Sequence, residues 1–411
     1  MVRRAFRLWV GILLAGTQVF AAEAAALSEI MRLLKPVRST PLSQQSKARG
    51  ATPAFTEVKH LLRDWVESQL HEIHSRDEVR ALEHELNAKL LQAKLACTWP
   101  GFPAEEGCPE REQPGYLGEI KLELGESLVV TTSVGIVCGG DESAYAYSFV
   151  DGHWKRFWES ETNNYTAGRY VPVNFIGIHL STRDYLNKDA DPNVRLMLAV
   201  SRDPAYCESN WYNVYYRVWQ LRTDSPEEKL LLDGGEEAFF GNWVDSVVSP
   251  NDVLIEYPKH TTYTDFMIRP IVRHYVLREG KLEREAPFAL SPRDFVDEWM
   301  RNDWAVSSQW TTAGANALTL QRMHRKENFE GGSYTETIRC ENRPEHWQVG
   351  LSWDKYDGRT MVETKRLYFL VRWLPPYRFS LTAISSRPWA ACTEKDPVAD
   401  EPRTLFPVHS R

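Results

Sequence analysis

Residues 211–221 constrain this chain more than any other stretch. Trp211, Tyr215, Trp219 and Leu221 fall on one side of a two-residue period, and Tyr212, Val214, Tyr216 and Val218 on the other. Side chains alternate across a strand, so a strand that is apolar on both sides needs cover on both sides. The stretch predicts a layered β structure with this strand near its middle, Tyr215 and Trp219 buried, and Trp211 or Tyr212 open at the strand start.

Around it, residues 98–290 read as an antiparallel β domain. Turn chemistry punctuates the candidate strands at Gly139-Gly140-Asp141, Asp151-Gly152, Asp233-Gly234-Gly235 and Glu279-Gly280. A repeat runs through the region. Leu196 and Trp219 have counterparts in Val253 and Val276, each 57 residues on (253 - 196 and 276 - 219). The run from Tyr147 through Asp151-Gly152 to Arg156 matches the run from Tyr275 through Glu279-Gly280 to Arg284. Each is an aromatic strand, an acid-glycine turn and a return strand. Repeated units of this kind suggest a propeller-like array or a sandwich.

The N-terminus reads as a secretory signal over 1–22. Arg3, Arg4 and Arg7 precede an apolar run from Leu8 to Ala15, and small residues cluster from Ala21 to Ala26. Removing the signal takes away three arginines and no acid, so the formal charge moves from -7 to -7 - 3 = -10. An acidic exported chain without a basic stripe excludes a nucleic-acid partner. After cleavage no apolar run is long enough for a membrane span. The expected location is secreted or periplasmic.

Residues 23–54 read as a flexible linker rich in proline and polar residues, within which Leu27 to Leu34 can make two helical turns. Residues 55–97 are helical by period: Phe55, Val58, Leu62, Trp65, Val66 and Leu70, then Val79, Leu82, Leu86 and Leu90, recur at spacings of three and four. Ser75 and Glu78 have the form of a capping box and divide the stripe into two helices. Residues 291–392 predict an α+β domain, a helix at Pro292 followed by a four-stranded meander, and residues 393–411 a surface tail. The element order over the last hundred or so residues is similar to the cone-shaped fold of ketosteroid isomerase and nuclear transport factor proteins. That resemblance carries no catalytic residue with it.

Cys97, Cys108, Cys138, Cys207, Cys340 and Cys392 all follow the signal. An even count in an exported chain favours disulfides. Six cysteines allow 15 connectivities; the first choice is Cys97 with Cys108, Cys340 with Cys392 would tie the ends of the last segment and Cys138 with Cys207 two parts of the β region, the alternative being buried free thiols. No CxxC is present, so neither a redox dithiol nor a zinc ribbon is indicated.

No motif fixes a reaction. His71-Glu72-Ile73-His74 lacks the HExxH spacing, and no metal or cofactor is indicated. GxSxG, P-loop and GxGxxG patterns are absent. Acids lie near strand ends at Asp141, Glu142, Asp203, Glu208, Glu236, Glu237 and Asp245, and paired carboxylates can hydrolyse glycosides. Asn164-Tyr165-Thr166 is a glycosylation sequon. Arg217 and His274 sit mid-strand and predict buried carboxylate partners. The aromatic residues are the most suggestive feature. Trp154, Trp158, Trp211 and Tyr212 are candidate contacts for a carbohydrate or another protein, the alternative being core packing. The leading expectation is a non-catalytic binding or envelope-associated interaction protein. The alternative is an extracytoplasmic hydrolase of glycans or peptides.

Overall fold

The computed structural model describes residues 23–39, 52–96, 114–136, 139–162, 173–182, 191–202, 211–239, 244–260, 268–285, 289–312, 317–326, 333–357, 360–375, 378–392 and 394–395. Two compact units divide the chain, Met1–Glu236 and Glu237–Arg411. The described residues are mainly β, arranged as four antiparallel sheets with helices on either side of the sequence's β region.

The first unit begins with helix α1 over 23–39, then α2 (Ala54–Glu72) and α3 (Val79–Gln92). The linker expected over 23–54 is thus helical in its first half. Ile30, Leu34 and Val37 of α1 are buried among the side chains of α2 and α3. Their burial offsets Pro36, which lies in the last turn and can donate no backbone hydrogen bond to the turn before it. Arg38 then anchors the helix end, its Nε donating to Gly115 O at 2.7 Å and its guanidinium lying 3.8 Å over the Tyr116 ring. The break between α2 and α3 is capped as expected in kind but not in detail. Ser75 Oγ accepts from Asp77 N at 3.2 Å, and Glu78 accepts from His74 N.

Strands β1 (Lys121–Leu124), β2 (Leu128–Ile136), β3 (Gly139–Val150) and β4 (His153–Ser160) form one meander, in chain order. A second meander holds β5 (Asn174–Leu180), β6 (Val194–Arg202), β7 (Trp211–Arg222) and β8 (Glu228–Phe239). The first sheet is the middle layer of this unit. Leu128, Val130, Val134, Tyr145 and Tyr147 face the helices, and Val129, Ala144, Ala146, Phe157 and Trp158 face the second sheet. The small Ala144 and Ala146 give Trp158 and Trp219 room to meet edge-on, 5.3 Å between ring centres.

The strand at 211–222 is therefore layered as expected, with its exposure reversed. Tyr212 is buried at 8% exposure, whereas Tyr215 and Trp219 are half-buried. Two rings of this strand lie against glycines of the next. Gly234 and Gly235 are strand residues of β8, not a turn, and they receive the rings of Tyr216 and Tyr215. A Cβ on Gly234 would lie 2.3 Å from Tyr216 Cε2. Gly139-Gly140-Asp141 is likewise strand, the start of β3.

The second unit opens with β9 (Asp245–Val248), β10 (Asp252–His260), β11 (Ile268–Arg278) and β12 (Lys281–Arg284), a third meander. The expected match between 147–156 and 275–284 holds in register: Val150 pairs His153 and Arg278 pairs Lys281. Both turn residues have positive φ in each case (Asp151 54°, Gly152 79°; Glu279 48°, Gly280 72°), the two-residue turn that suits strand twist. The 57-residue offset is looser. Leu196 pairs Gln220 but Val253 pairs Tyr275, a shift of two residues.

Helices α4 (Pro292–Arg301), α5 (Trp304–Ser307) and α6 (Ala317–Lys326) precede β13 (Ser333–Cys340), β14 (Arg343–Asp357), β15 (Thr360–Leu374) and β16 (Arg378–Ser385). Ser291 Oγ accepts from Asp294 N, and Pro292 starts α4 as predicted. A short β17 (Glu394–Lys395) adds to β13, so the sheet has five strands where four were expected. Phe295, Val296 and Trp299 of α4 pack on Val349, Leu367, Phe369 and Leu381. Cys340 and Cys392 form a disulfide beside Ile338 and Leu370. The pairings expected for Cys97, Cys108, Cys138 and Cys207 lie outside the described residues, as do the signal at 1–22 and most of the tail.

Candidate functional site

The densest set of ionisable groups in the first unit lies where α2 meets β3 and β4. The apolar stripe of α2 brings Lys59, His60, Arg63 and Glu67 against the sheet. Lys59 Nζ donates to Asp141 Oδ2 at 2.7 Å and to Thr162 O at 2.9 Å, and both side chains of the pair are buried. Burial holds the Lys59 pKa below its ordinary value, and the neighbouring Asp141 opposes that shift. Asp141 Oδ1 also accepts from Val173 N at 3.3 Å.

One turn along the helix, Glu161 gathers three partners: Tyr145 OH at 2.5 Å, His60 Nε2 at 3.3 Å and Arg63 Nη1 at 3.5 Å. The same Arg63 nitrogen reaches Glu159 at 3.7 Å. A further turn on, Glu67 takes Tyr147 OH at 3.2 Å and Arg156 at 2.9 Å. Burial and the adjacent carboxylates push both tyrosines well above the ordinary phenol range, so they stay neutral donors. Chemically the seam is self-neutralising. Each buried carboxylate has a cation or a phenol against it, and the set clamps α2 to the middle sheet.

The second unit has a comparable seam. Glu298 of α4 lies between Arg273, at 2.8 Å, and Arg284. Glu285 lies between Arg278 and Arg378, the latter at 2.5 Å.

The sequence candidates fall elsewhere. Trp154 and Trp158 are each 3% exposed and Tyr212 8%, so these three pack in the core. Trp154 packs with the helices and Trp158 between the sheets. The side chain of Trp211 lies outside the described set. Arg217 and His274 do find carboxylates, Asp233 and Asp252, each at 2.9 Å. The Arg217 pair is exposed, not buried as expected. Of the acids near strand ends, Asp141 and Glu142 hold backbone and side-chain donors, Glu142 meeting Phe175 N and Asn174 Nδ2. Asp245 is exposed, and Asp203, Glu208, the Glu237 side chain and the sequon at 164–166 lie outside the described residues.

His74 leaves the motif at 71–74 to meet His153, ring centres 5.6 Å apart and edge-on. Two imidazoles fall short of the three or four ligands of a resident zinc. Among the described residues no group of three or more His, Cys, Asp or Glu is placed to hold a metal ion.

Among the described residues, a groove of about 540 Å³ runs between α1 and α3, lined by Leu27, Met31 and Ala93 and flanked by the 2.9 Å pair of Glu23 with Lys89. A smaller cavity of about 460 Å³ is lined by Arg76, Arg80, Glu83, Leu122 and Leu124. None of the four aromatic candidates lines either one. Sequence reasoning missed the groove because it depends on α1 being a helix. No described helix is long and apolar enough to cross a membrane. No protein-family model matches the chain, and no curated protein matches it.

Proposed function

We propose that the chain is an exported, non-catalytic binding or envelope-associated interaction protein. The observation that carries this reading is the state of the interior charges. Asp141, Glu161, Glu67, Glu298 and Glu285 are each held by partners from the fold itself, and the groove between α1 and α3 is lined half by apolar and half by polar side chains, with the charges of Glu23 and Lys89 paired to each other. A catalytic acid or base must instead reach a substrate and exchange a proton. The Cys340–Cys392 disulfide fits an oxidising compartment. The candidate ligand classes are an envelope carbohydrate or another protein.

The hydrolase alternative has one pair of carboxylates in its favour, Glu159 and Glu161, which share the Arg63 guanidinium. Presenting the purified chain to arrays of envelope glycans and peptides separates the two. Retention without new reducing ends or amino termini is expected. Turnover that disappears in Glu159→Gln or Glu161→Gln would establish the hydrolase instead.

A further inference from the structure

β14 and β15 are 15 residues long, and their neighbours stop short of their ends. β13 begins opposite Ser352 and β16 ends opposite Tyr368. Past those points β14 and β15 continue as a two-stranded ribbon, from Trp353 paired with Lys365 to Asp357 paired with Thr360. On the outer edge of β15 no strand pairs with Thr360–Leu367 among the described residues. Met361 and Val362 are 53% and 55% exposed there. A lone two-stranded ribbon is marginal in water, and an open edge is either guarded or used.

The charges on this edge are arranged in a self-complementary way. Lay a second β15 antiparallel against the first, with the two-fold axis at Thr364. Glu363 of each copy then faces Lys365 of the other, Thr364 faces itself, and Val362 lies against the stem of Arg366. Opposite charges directly across an antiparallel pair are favourable, and the Thr364 hydroxyl donates within its own copy to Asp354 Oδ1 at 2.7 Å. Moving the axis by one residue in either direction sets Glu363 on Glu363 or Lys365 on Lys365, which is repulsive. The Lys365 ammonium has three donors, so a contact within its own copy leaves others for Glu363. The bulge between Lys355 and Tyr356 marks the tip-side limit of regular pairing.

We propose that the chain forms a two-fold dimer through the β15 edge of this ribbon, in the register centred on Thr364. Such an interface is isologous and closes on itself, so it gives dimers and not fibres. The test is sedimentation velocity of the full chain over a concentration series, with Glu363→Lys, Lys365→Glu and the double exchange. A concentration-dependent dimer is expected for the wild type. Each single exchange should weaken it by roughly tenfold, since two pairs per dimer turn repulsive, and the double exchange should restore it. These side chains lie on a projecting ribbon, and far-UV circular dichroism checks that the fold is unchanged. A wild type that stays monomeric overturns the proposal. So does a dimer indifferent to the single exchanges, or a double exchange that fails to restore association.

Discussion

Lys59 of α2 and Asp141 of β3 are 82 residues apart in sequence, yet their charged atoms meet at 2.7 Å with 1% and 0% of the side chains exposed. Breaking such a pair leaves one buried charge uncompensated, whereas replacing both partners by apolar groups is close to neutral. Lys59→Met should therefore lower unfolding stability by about 3–5 kcal/mol, and Lys59→Met with Asp141→Leu should recover most of it. Urea denaturation of the full chain measures both. A single variant as stable as the wild type would show that the pair does not hold α2 to the sheet.

Glycine at 234 is required by the Tyr216 ring, itself 4% exposed. Gly234→Ala should cost about 1–3 kcal/mol through overpacking. The further change Tyr216→Leu should return part of that, because it removes the atom the new methyl strikes. If Gly234→Ala melts at the wild-type temperature, the close approach is not real.

Burial holds the His179 pKa below its ordinary value, with Glu123 opposing. The unfolded chain then binds more protons between the folded pKa and about 6.5. The His179 contribution is complete above pH 6.5 or so and is lost as pH falls through that window. His346 in the other unit has the same sign for the same first cause. Stability measured from pH 7.5 down to 5 should fall, and His179→Phe should flatten the part of the slope that belongs to the first unit. An unchanged slope in that variant would assign the effect elsewhere.

Cys340 and Cys392 close a separation of 52 residues. In the chain-entropy view that loop is worth about 4 kcal/mol. Cys340→Ala with Cys392→Ala should lower the transition of the second unit and leave that of the first in place. Differential scanning calorimetry of the variant against the wild type, both without reductant, reads this, and a shift confined to the first unit would contradict the pairing.

Legibility in sequence followed the range of the cause. The α2 and α3 stripes, the two acid-glycine turns and the Pro292 helix start were readable, because period, turn chemistry and capping act over a few residues. The Cys340 pairing was reachable from cysteine count and position. What failed depended on distant neighbours. Gly234-Gly235 read as a turn because the tyrosines that need it lie on another strand. Residues 23–39 read as linker with at most two helical turns at 27–34, because the surfaces burying Ile30 and Leu34 come from α2 and α3. The aromatic candidates read as ligand contacts because density in Trp and Tyr does not say which layer lies over them. The seam of Lys59, Asp141 and Glu161 had no local signal, since its members come from one helix, one strand and the residue just past the end of another strand.

Each of the three four-stranded meanders is built from strands consecutive in the chain, joined mostly through neighbouring hairpins. No strand has to wait for a distant segment to complete its sheet. A chain that emerges end-first from a narrow passage can therefore settle one sheet at a time. Local pairing keeps contact order low and folding quick, and it shortens the time that apolar strand faces stay bare. The last sheet is the exception, since β17 must reach back to β13 and Cys392 to Cys340. Its closure is the step that a disulfide holds in an oxidising environment.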